Sequence, residues 1–145
     1  MDTDWPDLAG RLVGDAHHLA LRIYYEDTDF SGVVYHASYL RFMERGRTDF
    51  LRLRGIGHAA LAGEGLAFAV RRMTLDFLRP ARIDDALLVE TRVGQIRGAS
   101  IALDQTVRRG AEALVTAAVT VALLDTAGRP KRLPADMVER LAAPA

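Results

Sequence analysis

One long amphipathic pattern, between about Ala37 and Gly55, constrains the fold more than any other part of the sequence. Apolar or small residues recur there at steps of four, three, four and three, at Tyr39, Met43, Gly46, Phe50 and Leu53. This period places them on one face of an α-helix of roughly 18 residues, about 27 Å long at 1.5 Å per residue. Gly46 lies in the middle of that face, where glycine costs about 1 kcal/mol relative to alanine. We therefore expect another part of the chain to pack closely against the helix backbone at Gly46.

Strand patterns fill most of the remaining sequence. Residues 17–25 precede the helix with a rough alternation of side chains, and four more strands are predicted at 67–78, 86–96, 100–109 and 113–125. No repeat or linker divides the 145 residues, so we expect one domain at 17–145 after a weakly ordered lead-in at 1–16. The element order predicts an α+β fold in which one helix lies on one face of a curved, five-stranded antiparallel sheet.

Composition narrows the classes of function. The 19 basic and 19 acidic residues balance, which argues against nucleic acid as a partner, because binding a phosphate backbone usually needs a basic surplus. There is no cysteine, which excludes disulfides, thiolate metal sites and cysteine nucleophiles and fits a reducing compartment. The acidic beginning of the chain is unlike a signal peptide, and the longest nearly apolar run, 114–124, is too short to cross ~30 Å of hydrocarbon. We expect a cytoplasmic protein with no transmembrane segment.

Common catalytic and metal-binding motifs are either absent from the sequence or lack the structural context that they need. Residues 55–60 (GIGHAA) match a dinucleotide fingerprint in outline, but they follow a helix instead of a strand, so the context for binding pyrophosphate is missing. Neither G-x-S-x-G nor H-E-x-x-H occurs. The adjacent His17 and His18 would point to opposite faces of a strand, and we expect no metal site.

The stretch YYEDTDFSGVVYHASYL at 24–40 is more informative, because it carries three carboxylates in four positions just before the predicted helix. A solvated acidic loop is the ordinary explanation of such a cluster. The alternative follows from the helix start, whose free backbone N–H groups and partial positive charge favour a developing oxyanion. An aspartate held nearby could attack a carbonyl carbon or activate water. One loop would then supply both halves of an acyl-transfer site.

The same residues carry a resemblance to a known family. The pairs Arg22-Ile23 and Thr28-Asp29, the run at 32–34 and Tyr39 resemble the signature of the 4-hydroxybenzoyl-CoA thioesterase family of hotdog-fold enzymes. The fuller string, with E-R-x-R-T-D in the helix, is most similar to the family's YbgC branch of acyl-CoA thioesterases, often encoded beside the Tol-Pal system. The resemblance extends to about Pro134 and implies a hotdog fold, in which an antiparallel sheet wraps a long helix.

The resemblance also implies a catalytic pair. Asp29 corresponds to the catalytic carboxylate, as nucleophile or as general base, and the backbone N–H of His36 polarises the thioester carbonyl. Asp29 is therefore expected to turn inward beside the helix, while Glu26 and Asp27 stay in solvent and orient the loop. Glu44 is a rival carboxylate, since another thioesterase clade has its acid at that point of the helix. Its alternative role is structural, through pairing with neighbouring arginines.

Binding residues are carried over in the same way. Tyr35, His36 and Phe68 are expected to line the acyl pocket, and the nucleotide of coenzyme A to meet Arg97, Ser100, Lys131 and Arg132. Coenzyme A is part of the substrate, and no further cofactor is implied. The family also implies a homodimer or, by preference, a homotetramer, and either coenzyme A or acyl carrier protein as the carrier.

Two functions follow from these observations. The first is hydrolysis of an acyl-CoA to a carboxylic acid and free coenzyme A. The alternative is a non-catalytic protein that binds acyl-CoA or acyl carriers, or acts as a scaffold for an envelope partner. A hotdog dehydratase or hydratase carries a different motif, typically with a histidine base, and the sequence matches it poorly.

Overall fold

The computed structural model describes residues 5–143. Six strands form one sheet, and three helices accompany it, in the chain order β1 (Arg11–Val13), β2 (Ala16–Arg22), α1 (Ser38–Leu53), α2 (His58–Gly63), β3 (Ala67–Phe77), β4 (Ala86–Arg97), β5 (Ser100–Arg109), β6 (Glu112–Leu124) and α3 (Ala135–Ala142). The strand order across the sheet is β1-β2-β4-β5-β6-β3, and every neighbouring pair is antiparallel. The predicted α+β hotdog architecture is confirmed.

The predicted helix is α1, and it lies against one face of the sheet. Phe42, Met43 and Phe50 on its apolar face are at most 2% exposed. A Cβ at Gly46 would lie 2.8 Å from Cγ1 of Val89 and 3.2 Å from Oγ1 of Thr91, both on β4. The close approach expected at Gly46 is therefore confirmed, and it is the sheet that makes it.

The sheet has six strands and not the five predicted. The additional strand, β1, pairs with β2 in the register Arg11↔His18 and lies within the expected lead-in. The fully buried His17 forms a hydrogen bond with the segment before β1, since its Nε2 lies 2.7 Å from the carbonyl oxygen of Ala9. With three residues, β1 is too short to show an alternating pattern, which is why the sequence does not reveal it.

Two short helices were also not predicted. The six-residue α2 occupies the region that the sequence indicated as a loop. The eight-residue α3 follows Pro134 and buries Met137 and Leu141, which are four positions apart. Among residues 5–143, no helix is both long and apolar enough to span a bilayer.

The two edges of the sheet differ in length. The β1 edge has three residues, and short edge strands are one way in which proteins avoid unwanted pairing. The β3 edge has 11 residues, and among the described residues 5–143 β6 is its only strand neighbour. The β3 edge is thus a long row of backbone groups available to another strand.

Candidate active site

The acidic stretch forms a tight loop between β2 and α1. A single 3₁₀ turn, Tyr25–Asp27, opens it, and Thr28 bridges to Val34 where the chain returns. The backbone N–H of Tyr35 then donates to the carbonyl oxygen of Asp27 at 2.9 Å. The outgoing and returning segments therefore lie side by side just before the helix.

Asp27 is the carboxylate that holds this loop together, contrary to its expected place in solvent. It is 8% exposed, and its Oδ2 accepts a hydrogen bond of 2.9 Å from the backbone N–H of Tyr24. Its carbonyl oxygen also accepts from the Ser38 hydroxyl at 3.3 Å. Buried polar atoms are costly unless they are paired, and those of Asp27 are paired with both sides of the loop.

Asp29 differs from expectation too, because in the single chain it faces solvent and does not turn inward. Its backbone N–H donates to the Val33 carbonyl at 3.0 Å. Its Oδ1 accepts from the Ser31 N–H at 2.8 Å and from the Ser31 hydroxyl. These hydrogen bonds from Ser31, together with the nearby positive charge that His36 can carry, lower the pKa of Asp29 below its ordinary value. Asp29 is thus an ionised carboxylate in an open cleft of about 580 Å³, which Tyr25, Phe30 and Ile83 also line.

The backbone N–H of His36 belongs to the same loop as Asp29, between β2 and α1. Within residues 5–143 it has no recorded acceptor, and it precedes the first residue of α1 by two positions. The positive charge that the His36 ring can carry contributes to the lowered pKa of Asp29. The loop therefore contains an ionised carboxylate and a backbone N–H that has no acceptor among residues 5–143.

Aromatic rings line a second cleft beside His36. The His36 ring lies 4.6 Å from that of Tyr35 and 6.2 Å from that of Phe77, between ring centroids. The Tyr39 ring also lies 5.9 Å from that of Phe77, between centroids, and its hydroxyl oxygen accepts from the Ala81 N–H. This cleft measures about 260 Å³ and also contains Val34 and Pro80. Sequence reasoning missed Phe77, although its alternation with Met73 and Leu75 already placed it on the same side of β3 as the core.

The residues expected to meet the nucleotide form a separate group. Ser100 donates from its hydroxyl to the carbonyl oxygen of Arg97 at 3.2 Å. The segment with Lys131 and Arg132 runs alongside, because the N–H of Leu133 donates to the carbonyl oxygen of the turn residue Gly98 at 2.9 Å. Four of the predicted residues, Arg97, Ser100, Lys131 and Arg132, are thus brought together by the fold.

This group lies at the far end of the sheet from Asp29. The 12 residues of β4 begin opposite Arg22, beside the acidic loop, and end at Arg97, and they span roughly 35 Å at about 3.3 Å per residue. Ser100 pairs with Ala122, which pairs with Ala69 near the start of β3. The nucleotide group therefore shares an end of the sheet with the start of β3, and the Asp29 loop shares the other end with Phe77.

Phe68 also lies apart from His36. It lines a different cavity, with Glu44 and Arg47 of α1, so the three residues expected to form one acyl pocket are divided between two places in the chain. Glu44 is exposed and forms no ion pair or side-chain hydrogen bond within residues 5–143, but its negative charge acts on Arg47 and raises the pKa of that arginine. The same residues contain no group of three His, Asp or Glu side chains positioned to hold a metal ion.

Comparison with known proteins gives a consistent result. Residues 24–141 match the family model of the thioesterase-like superfamily. The acyl-CoA thioester hydrolase YbgC of Escherichia coli O157:H7 is 42% identical over 120 residues, which are 81% of this chain and 90% of that protein. The acyl-CoA thioesterase YbgC of Haemophilus influenzae is 45% identical over 115 residues, 79% of this chain and 85% of the relative. The crystal structure of a probable thioesterase from Bartonella henselae superposes with a TM-score of 0.80 at 48% identity, covering 82% of this chain and 99% of that one.

Proposed function

The chain belongs to the thioesterase-like superfamily and, within it, to the YbgC acyl-CoA thioesterases, and we propose that it hydrolyses acyl-CoA thioesters with Asp29 and the His36 backbone N–H as the reacting centre. The observation that carries the proposal is their arrangement. One loop just before a helix carries both an ionised carboxylate and a backbone N–H with no acceptor in the described part of the chain, residues 5–143. A thioester hydrolase needs both, one to deliver the attack and one to stabilise the oxyanion.

In the reaction, the His36 N–H donates to the thioester carbonyl oxygen, and the positive end of α1 adds to the stabilisation as negative charge develops there. Asp29 then acts in one of two ways. As a nucleophile it bonds to the carbonyl carbon and displaces the thiolate, and water cleaves the resulting anhydride. As a general base it takes a proton from the water that attacks. Both routes convert acyl-CoA and water into a carboxylic acid and free coenzyme A.

The leaving group needs little help. A thiol has an ordinary pKa of about 8.5, so a thiolate departs near neutral pH without a strong proton donor. The surroundings of Asp29 do change on binding, because an acyl-CoA molecule excludes water from the open cleft. Desolvation raises the pKa of a carboxylate and therefore makes Asp29 a stronger base or nucleophile than it is in the open cleft.

The separation of the binding residues supports a site shared between two copies of the chain. If two β3 edges pair antiparallel about a two-fold axis, the Phe77 end of one strand lies beside the start of β3 in the second copy. The Asp29 loop of one copy then faces the nucleotide group of the other, namely Arg97, Ser100, Lys131 and Arg132. The same pairing removes the long exposed edge.

The function is tested by supplying a panel of acyl-CoAs with a thiol-detecting dye. We expect release of free coenzyme A at rates well above the uncatalysed ones, and a clear preference among acyl groups. Binding of acyl-CoA without release of thiol would favour the non-catalytic binding or scaffold protein. Faster turnover of acyl carrier protein thioesters than of acyl-CoA would support the proposed hydrolysis and identify acyl carrier protein, instead of coenzyme A, as the acyl carrier.

The shared site makes the oligomer a prediction with its own measurement. Light scattering should give a mass at or above twice the 15.9 kDa of the chain, as a dimer or, by preference, a tetramer. Dilution until the oligomer dissociates should abolish specific activity, because each copy then lacks half of its site. A stable monomer with full activity would contradict both the oligomer and the shared site.

Other expectations stay predictions from the sequence. A cytoplasmic location and an association with the Tol-Pal system belong to this group. The role of Phe68 in the acyl pocket also depends on the pairing of two copies, because within one chain it lies away from His36.

A further inference from the structure

A second cavity, here called the Arg47 cavity, lies between α1, α2 and strands β3, β5 and β6. It measures about 120 Å³, and its lining residues are Glu44, Arg47, Thr48, Leu51, His58, Phe68, Val70, Leu103 and Val121. Apolar cavities slightly larger than this, about 150 Å³, admit a molecule the size of benzene. The Arg47 cavity therefore has room for the end of a short acyl chain.

The unusual group in this cavity is the guanidinium of Arg47. The residue is 8% exposed, and its recorded partner is neutral, since Nη1 donates to Oε1 of Gln105 at 3.0 Å. No carboxylate lies within ion-pair distance of it in the described residues 5–143. Arginines are rarely buried without such a partner. Burial lowers the pKa of Arg47, and the more distant negative charge of Glu44 opposes this effect only in part.

The buried side chain of Gln105 fixes the orientation of Arg47. The side-chain amide of Gln105 donates to the carbonyl oxygen of Met43 and to Oγ1 of Thr91, both at 2.9 Å. Its Oε1 is therefore the atom left to accept from Arg47. A guanidinium has five N–H donors and binds a carboxylate through two of them at once, so Arg47 has donors to spare for a ligand.

Three further polar residues, Thr48, His58 and Glu44, line the Arg47 cavity. Oγ1 of Thr48 lies 3.3 Å from Nε2 of His58, and both residues line the same cavity as Arg47. Glu44 is the one anionic group there, but it is exposed to solvent, where water and salt weaken its repulsion of another anion. The buried cation therefore has the stronger effect on what binds.

We propose that the Arg47 cavity receives the far end of the acyl group and selects short acyl chains that end in a carboxylate, the monothioesters of dicarboxylic acids with coenzyme A. The carboxylate would bond to Arg47, and the methylene groups would lie against Leu51, Phe68 and Val121. This inference rests on the proposed function and on the shared site. The cavity lies at the start of β3, which the two-fold pairing brings beside Phe77 and His36 of the second copy.

The test uses two thioether analogues of acyl-CoA that cannot be hydrolysed, S-butyl-CoA and S-(3-carboxypropyl)-CoA. They differ by one carboxylate, and calorimetry on the full-length protein gives their dissociation constants. We expect the carboxylate analogue to bind the wild type about tenfold more tightly or better, since hydrogen bonds to charged groups are the strong ones. Thermal unfolding of each variant confirms that the fold is retained.

Three variants separate the effect of charge from the effect of side-chain shape. Arg47→Gln keeps a neutral donor for Gln105. It should abolish the preference for the carboxylate analogue, while S-butyl-CoA still binds within about threefold of wild type. Arg47→Lys should keep part of this preference because the positive charge remains. Glu44→Gln should strengthen binding of the carboxylate analogue by a few-fold, by removing a like charge.

The outcomes are distinguishable. Equal affinity of the two analogues for wild type, or a preference that survives in Arg47→Gln, would overturn this inference even if butyryl-CoA is hydrolysed, and the proposed function would stand. Failure to bind either analogue would overturn the inference, and absence of turnover with every acyl-CoA would overturn the proposed function by itself.

Discussion

Replacing Asp29 by asparagine should lower kcat for acyl-CoA hydrolysis by about 10²–10⁴-fold while KM changes by no more than a few-fold. Asparagine has the shape of aspartate, and its Oδ1 can still accept from the N–H of Ser31, as the carboxylate does at 2.8 Å. The loop is therefore retained, and the variant loses only the negative charge that the proposed mechanism uses to attack the carbonyl or to take a proton from water. Steady-state kinetics with the best substrate of the acyl-CoA panel gives both constants.

The matched control is Glu44→Gln, which makes the same chemical change at the rival carboxylate. Glu44 forms no ion pair within residues 5–143, and on α1 it lies eight positions beyond His36, about 12 Å along a helix axis at 1.5 Å per residue. With an acyl group that has no terminal carboxylate, its kcat should stay within a few-fold of wild type. If Glu44→Gln is inactive and Asp29→Asn is active, the catalytic carboxylate has been assigned to the wrong residue.

The largest effect on stability is expected at Gly46. Leucine there should lower the free energy of unfolding by about 3 kcal/mol, because inserting several carbon atoms into a packed core strains it. The first atom alone would lie 2.8 Å from Cγ1 of Val89 and 3.3 Å from Nε2 of Gln105. Alanine should be milder, because its better helix propensity returns about 1 kcal/mol of the strain. Urea unfolding at one protein concentration measures both variants.

Gly63 supplies the control for this prediction. It also lies in a helix, α2, but a Cβ there would meet nothing within 4 Å. Gly63→Ala should be neutral or stabilising by up to about 1 kcal/mol. Equal effects at the two glycines would mean that the approach of the sheet to Gly46 does not govern stability.

The parts of the fold with a long, regular period could be predicted from the sequence. The face of α1 and the strands β3 to β6 repeat over ten residues or more, so their side-chain patterns are unambiguous. The strand β1 and helix α2 are too short to show a period. Their positions depend on contacts made elsewhere in the fold, such as the bond from His17 to the carbonyl of Ala9.

The sequence proposed residues for the candidate site, but it could not predict how the fold arranges them. Asp27 and Asp29 are two positions apart in the same loop, and no local rule says which of them is buried. The difference comes from partners that the fold brings in, since Tyr35 and Ser38 return to the backbone of Asp27. The distance between the Asp29 loop and the nucleotide group likewise follows from strand order, which local patterns do not specify.

The buried amide of Gln105 has a consequence for where α1 stops along its own axis. Apolar contacts between a helix and a sheet are non-directional, so a helix displaced by one turn, about 5.4 Å, would still bury much of its face. Gln105 accepts from Arg47 and donates to the carbonyl oxygen of Met43 and to Thr91 of β4, and these hydrogen bonds can be made at only one axial position. The amide therefore sets the axial position of the first turn of α1, and with it the position of the His36 backbone N–H just before that turn.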